Sequence, residues 1–195
     1  MEILVLTISD RAHKGIYKDL SGPAIEKILK TYYQIPLTTP SRQACHPSLK
    51  RRGVLKTLPL LRGSAEGEGV KKSEQITITR KIVPDEKRKI KKAFRKNLSR
   101  NIIITTGGTG ISPRDVTPEV TEKFCDKMLP GIAEILRAES YKQTPNAMLS
   151  RAVAGIKGKT VIINLPGSVK AAVFCTKLLL PVLPHILEMQ KGQGH

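Results

Sequence analysis

The chain has 195 residues, enough for one domain with a real core, and its 39% hydrophobic and 26% charged residues are those of a soluble globular protein. A formal net charge of +18 calls for an anionic partner without choosing among nucleic acid, an acidic membrane surface and a phosphorylated metabolite. Aromatics are only 4% with no Trp, which leaves no evident base-stacking platform. Cys45, Cys125 and Cys175 are odd in number, widely spaced and form no CxxC, so they suggest neither a zinc site nor a disulfide framework.

The N-terminus has no basic segment before its apolar run, so a buried first strand over residues 3–8 is expected rather than a signal peptide, and the expected location is cytoplasmic. The run ends abruptly in Ser9, Asp10 and Arg11, which taken alone fit an ordinary strand-end turn. A loop through Gly15 and Asp19-Leu20-Ser21-Gly22-Pro23 follows. Ser21 suits a helix N-cap and Pro23 the first turn, with Ala24, Ile25, Ile28 and Leu29 as the apolar stripe. From 37 to 74 periodicity dissolves. Prolines at 40, 47 and 59, the run Lys50-Arg51-Arg52 and the Gly/Glu-rich stretch 63–69 indicate a flexible basic insertion, with a short helical turn around 54–61, inside a single domain spanning 1–195. Such an insert is either an anion-binding or docking arm or, more commonly, a solvated segment.

Residues 76–83, ITITRKIV, alternate like a strand and stop at Pro84-Asp85. Asp85 fits a helix N-cap, Ile90, Ala93, Phe94 and Leu98 a buried face, and Lys87, Arg88, Lys89, Lys91, Lys92, Arg95, Lys96 and Arg100 an exposed one. Cations this dense in the N-terminal half oppose the helix dipole, so packing has to stabilise the helix. A solvated face is the usual meaning of such a run and a nucleic-acid face the alternative.

Residues 101–115, NIIITTGGTGISPRD, form the most informative stretch. Ile102, Ile103 and Ile104 suit a strand buried on both faces of a parallel sheet. Gly107, Gly108, Thr109 and Gly110 then make a turn whose backbone can approach a ligand and aim N–H groups at an anion. Asp115 follows, with Thr117 as cap and Pro118 as first residue of a helix running through Val120, Phe124 and Met128 to near Pro130. A second helix is expected from about 132 through Ile135 and Leu136. In 145–151, PNAMLSR, Ser150 and Arg151 lie together, with helix surface as the plain interpretation. Residues 160–164 form the last strong strand and run into Leu165-Pro166-Gly167-Ser168, a second strand–glycine–helix junction with Ser168 as cap. The final helix is kinked at Pro181 and Pro184, too broken to span a bilayer, and the tail from 191 is frayed.

Strands alternating with helices give an α/β fold: three layers, a mostly parallel sheet with helices on both faces. Parallel strands gather four junctions on one sheet edge, at Ser9/Asp10, Asp85, 107–115 and 164–168. Two carboxylates and two glycine turns there suggest a site for phosphate and Mg²⁺. Neither GK[ST] after the glycines, nor GxGxxG, nor GxSxG is present, which disfavours a hydrolytic motor, a dinucleotide dehydrogenase and a serine hydrolase.

The string IIITTGGTGISPRDVTPE resembles the signature of the molybdopterin adenylyltransferase family of molybdenum-cofactor biosynthesis, the bacterial Mog, gephyrin G-domain and plant Cnx G-domain type. The likeness extends to Ser9-Asp10-Arg11, Asp19-Leu20-Ser21-Gly22, Lys81-Ile82-Val83-Pro84-Asp85-Glu86, Met148-Leu149-Ser150-Arg151, Ile163 through Ser168 and Leu180-Pro181-Val182-Leu183-Pro184-His185. It covers the chain except about 37–74. The resemblance implies transfer of AMP from Mg-ATP to the terminal phosphate of molybdopterin, with release of pyrophosphate, by a homotrimer. It implies that Asp85 and Asp115 are catalytic and hold or orient Mg²⁺. Ser9, Asp10, Ser21, Gly107, Gly108, Thr109 and Gly110 would bind nucleotide and phosphate. Thr117, Ser150, Asn164, Pro166, Gly167, Ser168 and Lys170 would bind molybdopterin.

Two features depart from the family pattern. The basic insertion lacks a counterpart, and the metal-inserting domain often fused in eukaryotes does not follow, so a separate molybdenum-insertion protein is the expected recipient of the product. Two other readings stand beside the enzyme: a non-catalytic molybdopterin- or nucleotide-binding protein of the same fold, and a basic interaction module for nucleic acid or a scaffold partner. The last explains neither Asp85 nor Asp115, so nucleic acid is disfavoured.

Overall fold

The computed structural model describes residues 1–34 and 76–192. The chain groups into one compact unit, Met1–Tyr32 with Gln75–His195, and a second, Tyr33–Glu74. The second unit and the expected insertion at 37–74, with its helical turn, lie almost wholly outside the described residues, as do the last three residues of the tail.

The described elements run β1 (Glu2–Ile8), α1 (Asp10–His13), α2 (Ser21–Gln34), β2 (Thr77–Val83), α3 (Lys87–Arg95), β3 (Ile102–Thr106), α4 (Thr117–Phe124), β4 (Lys127–Met128), α5 (Pro130–Tyr141), a 3₁₀ turn (Pro145–Leu149), β5 (Ala154–Lys157), β6 (Thr160–Leu165), α6 (Val169–Leu179) and α7 (Leu183–Gln190). They build a six-stranded sheet in the order β2-β1-β3-β6-β5-β4. β2, β1, β3 and β6 are mutually parallel, and β5 and β4 add an antiparallel edge. The expected α/β architecture with a mostly parallel sheet is the one found.

Strand burial follows from position. β3 and β6 are buried along their whole lengths and β1 from Ile3 onward, as continuous apolar runs in the sheet centre must be. β2 is an edge strand and stays partly exposed; its cations are tied down by Arg80 to Glu26 and by Lys81 Nζ donating to Asn97 Oδ1 at 3.0 Å. On one face, Leu4, Leu6, Ile8, Ile103 and Ile162 pack with Ile90 and Phe94 of α3 and Val120 and Phe124 of α4. The two phenyl rings meet at 5.4 Å. Thr7 points to the other face, where its hydroxyl donates to Asp19 beside the start of α2.

Several local expectations are corrected. Ser21 does not cap α2: the Asp19 carboxylate does, accepting from the N–H groups of Ser21 and Gly22 at 3.0 and 3.1 Å. Asp85 does not cap α3, whose N-cap is Glu86 without a side-chain bond, and Thr117 lies inside α4, whose N-cap is Val116. Leu98 lies beyond α3 and is 37% exposed; Asn97 is buried in its place and bonds back to the Ala93 carbonyl. Met128 is not helical. After Phe124 the chain turns extended, Asp126 N–H donates to Ile156 O, and 127–128 pair with β5. β5 itself has little strand signal because it contains Gly155, but a Cβ there would lie 2.8 Å from Cys125 Sγ and from Lys127 O, so close packing demands the glycine. The expected kink in the last helix is a break of 55° between α6 and α7. No single helix among the described residues is long and apolar enough to cross a membrane.

The parallel register brings the ends of four strands together: Ile8 is opposite Val83, Thr7 opposite Thr106, and Thr106 opposite Leu165. Gly107 closes this edge. Its φ is +103°, and a Cβ would lie 2.3 Å from Ile8 O, a backbone atom that cannot yield. Gly107→Ala is therefore expected to cost about 2–4 kcal/mol of stability, measured by urea unfolding. A loss below about 0.5 kcal/mol would show that the junction can relax.

Candidate functional site

The four junctions form one edge. At the first, Ser9 Oγ caps α1 by accepting from Ala12 N–H, and it lies 3.2 Å from Tyr17 Oη. Asp10 and Asp85 are reciprocally joined: Asp10 N–H donates to Asp85 Oδ2 at 2.8 Å and Asp85 N–H to Asp10 Oδ1 at 3.0 Å. Arg114 reaches back from the glycine loop to form an ion pair with Asp10. Ser21 is buried and its hydroxyl donates to Asp19, so it braces the loop from below rather than facing solvent.

Backbone holds the glycine loop to its neighbours. Gly107 N–H donates to Leu165 O, Gly107 O accepts from Thr117 Oγ1, and Gly108 O accepts from Thr117 N–H. Gly108 is also in the left-handed region, with space for a Cβ closed by Thr117 Oγ1 at 2.4 Å and Asp85 Oδ1 at 3.1 Å. Among the described residues, the N–H groups of Gly108, Thr109 and Gly110 meet no acceptor, and neither do those of Gly167 and Ser168. Free donors on two adjoining turns are what an anion requires. The turns touch: a Cβ on Gly167 would lie 3.2 Å from Gly107 Cα, and Thr106 Oγ1 donates to Pro166 O at 2.8 Å.

Asp115 sits half-buried at the loop's end. Its Oδ2 accepts from Ser112 N–H and faces Gly110, where a Cβ would lie 2.9 Å away. Burial first, and then the negative charge of Asp115, push the Asp85 carboxyl above its usual range. A carboxylate whose ionisation is disfavoured by burial and by a second carboxylate fits a cation: oxygen donors are what Mg²⁺ takes, and one or two suffice when phosphate and water complete its shell. No group of three or more His, Cys, Asp or Glu residues that could form a closed metal site occurs among the described residues.

The turn at Gly167 borders a cavity of about 190 Å³ whose lining includes Arg137, Ser140, Ser150, Asn164, Pro166 and Ser168. Four of the residues assigned to molybdopterin therefore surround one hollow. Asn164 lines it, but its amide is occupied inside the fold, with Nδ2 donating to Thr105 and Thr121 at 3.0 Å. Thr117 is likewise fully buried, bracing the loop. Ser168 caps α6 through Ala171 N–H. Lys170 is exposed in the first turn of α6 and does not line the cavity.

Sequence reasoning misses three groups around the loops and a fourth in the cavity wall. Arg151 holds the whole loop: its N–H donates to Thr109 O, its Nε to Gly110 O at 2.7 Å and Nη2 to Asp115 O at 2.6 Å, while Nη1 pairs with Glu119. Asp19 and Arg114 are the others. Arg151 stands beside Ser150 in the family string, but nothing in sequence says that its partners are backbone carbonyls about forty residues away. Arg137, whose Nη1 donates to Ala152 O at 2.7 Å, gives the cavity a cationic wall that the sequence does not announce either.

The fold and this edge define a class: an α/β protein of the molybdenum-cofactor-biosynthesis fold, with glycine turns and paired carboxylates at the carboxyl ends of its parallel strands. Residues 63–185 match the family described as "Probable molybdopterin binding domain". The chain is 37% identical to a molybdopterin adenylyltransferase of Helicobacter pylori (strain ATCC 700392 / 26695), over 98% of this chain and 89% of that one. It is 30% identical to the Escherichia coli K12 molybdopterin adenylyltransferase, over 88% and 69%. The crystal structure of the molybdopterin biosynthesis enzyme MoaB from Thermus thermophilus superposes with a TM-score of 0.71 at 32% identity, over 98% of this chain and 96% of that one. The chain belongs to the molybdopterin-binding family of molybdenum cofactor biosynthesis.

The raised Asp85 pKa carries a sign. Between the unfolded and folded values the native state holds the extra proton, so stability falls as pH rises through that window. Asp85→Asn keeps an acceptor for Asp10 N–H and removes the charge. In metal-free protein its stability relative to wild type is expected to be near zero below about pH 4 and to grow towards pH 7. Urea midpoints across that range check it, and a gain that is flat with pH would contradict the shift.

Proposed function

We propose that the chain is a nucleotidyltransferase, a molybdopterin adenylyltransferase acting on Mg-ATP and molybdopterin. The observation that carries this reading is the contact between the two glycine turns: Gly167 stands between Pro166 and Ser168, which line the cavity, while Gly107 leads to Gly108 against Asp85 and to Gly110 against Asp115, so the proposed pterin hollow and the acidic phosphate edge share one seam. The acceptor phosphate of molybdopterin bonds to the α-phosphorus of ATP. The Pα–O bond to the β-phosphate breaks, and its electron pair leaves with pyrophosphate.

The side chains of this protein position and shield. The free N–H groups of Gly108, Thr109, Gly110, Gly167 and Ser168 orient phosphate oxygens and offset developing charge. Asp85 and Asp115 would hold Mg²⁺, which supplies further charge neutralisation when bound. Asp10 locks Asp85 through the reciprocal backbone bonds, and Arg151 fixes Asp115 from behind. Ser150, Pro166 and Ser168 line the pterin side, with Arg137 as its cation. Alongside the activity we propose a cytoplasmic homotrimer that passes its product to a separate molybdenum-inserting protein. Exposed Ile111, Met148 and Leu149 give such an assembly apolar surface to bury.

Purified protein with molybdopterin, ATP and Mg²⁺ is expected to form adenylylated molybdopterin and pyrophosphate. Absence of product under conditions where a relative turns over would sink the reading. Asp115→Asn is expected to lower kcat/KM by about 10²-fold or more with folding retained. Near-normal turnover would remove Asp115 from the catalytic set.

A further inference from the structure

α3 and α4 each begin two residues beyond a site carboxylate, at Lys87 after Asp85 and at Thr117 after Asp115. Between the two helices lies a second cavity, of about 200 Å³, lined by Lys87, Arg88, Lys91, Glu119, Val120 and Lys123. None of the four cations forms a salt bridge with a described residue. The one carboxylate in the lining, Glu119, pairs with Arg151 through Oε1, while its buried Oε2 meets no hydrogen-bond partner among the described residues. Burial works against its ionisation, but its bond to Arg151 and the charges of Arg151 and Lys87 hold its carboxyl below the usual range.

The first turn of α3 carries Lys87, Arg88 and Lys89, has no acid and lacks a capping side-chain bond. Positive side chains there repel one another and the positive end of the helix dipole. A multivalent anion held by Lys87, Arg88, Lys91 and Lys123 removes that repulsion, and phosphate groups are the anions such cations meet best. The near end of the cleft follows the acidic edge in the chain, since Lys87 and Glu119 stand two and four residues beyond Asp85 and Asp115. An α-phosphate near Asp85 and Asp115 leaves its β- and γ-phosphates to extend beyond the carboxylates, towards the helix starts that follow them.

We propose that the α3–α4 cleft binds the β,γ-diphosphate of the nucleotide and, after transfer, the free pyrophosphate. The assignment rests on the adenylyltransferase reading for its substrate. The cleft itself is tested by pyrophosphate alone. Glu119 connects it to the loop: the same carboxylate that lines the cleft pairs with Arg151, which holds Asp115.

The experiment compares wild type, Lys87→Gln/Lys91→Gln in the cleft, and Lys89→Gln/Lys96→Gln on the same basic segment but outside the cleft lining. Both doubles change net charge equally. At constant ionic strength, pyrophosphate is expected to raise the thermal midpoint of wild type and of the Lys89/Lys96 double. It is expected to bind the Lys87/Lys91 double about tenfold more weakly by titration calorimetry. In turnover, the same double should show a KM for ATP raised about fivefold or more and weaker product inhibition by pyrophosphate, with the KM for molybdopterin unchanged. No pyrophosphate-dependent stabilisation of wild type, or equal weakening in both doubles, overturns the proposal. Cleft-dependent pyrophosphate binding in a protein that makes no adenylylated product upholds the site while removing the activity.

Discussion

The close approach of Gly107 to the Ile8 carbonyl is the contact on which the site depends. There is no room for a Cβ at that point, and the same residue donates to Leu165 O and accepts from Thr117 Oγ1. One glycine thus joins the end of β3 to the ends of β1 and β6 and to the start of α4. The adjacent strands set the register, so the edge is positioned by backbone pairing rather than by side-chain packing. Gly108 against Asp85 and Gly167 against Gly107 repeat the device: each missing Cβ lets another junction come close. Free N–H groups are left on the two turns because their residues are spent on proximity rather than on ladder bonds.

The loop beyond Gly110 has no secondary structure of its own until α4. Arg151 supplies the order instead, reaching two carbonyls and a carboxylate with one planar guanidinium. A lysine could not span these partners, since its single ammonium lacks the fork. Arg151 also follows directly on Ser150, which lines the cavity. The cavity and the carboxylate side are therefore held by neighbouring residues, and the geometry of one constrains the other.

Much of this is legible in the sequence. Continuous apolar runs at 3–8, 102–104 and 161–163 mark the central parallel strands because burial on both faces leaves an unbroken signal. The family strings locate both glycine turns and both carboxylates. What fails are decisions between local and distant partners. Ser21, Asp85 and Thr117 each have good capping chemistry, yet each is drawn into other contacts, with Asp19, with Asp10 and with Gly107. A cap is a local inference, and at a strand edge where four segments meet, tertiary partners outcompete it. β4 and β5 escape notice because their pairing depends on Gly155, whose value lies in the space it leaves. Arg151 and Asp19 cannot be distinguished from other surface charges without knowing which carbonyls and N–H groups lie beside them.

The charge distribution orders the events at the site. The chain as a whole carries +18, yet Asp10, Asp85 and Asp115 converge where the strands end, where Arg114 pairs with Asp10 and Arg151 bonds the Asp115 carbonyl. At long range an anion is attracted; within about 8–10 Å, inside the screening length, it meets the carboxylates first. On the proposed chemistry, a bare triphosphate would find Asp85 and Asp115 repulsive. On that chemistry, a triphosphate that arrives with its own Mg²⁺ would turn the same two groups into ligands. On the proposed chemistry the metal and nucleotide therefore enter as a unit. The raised Asp85 pKa itself comes from burial first and from the neighbouring Asp115 charge second.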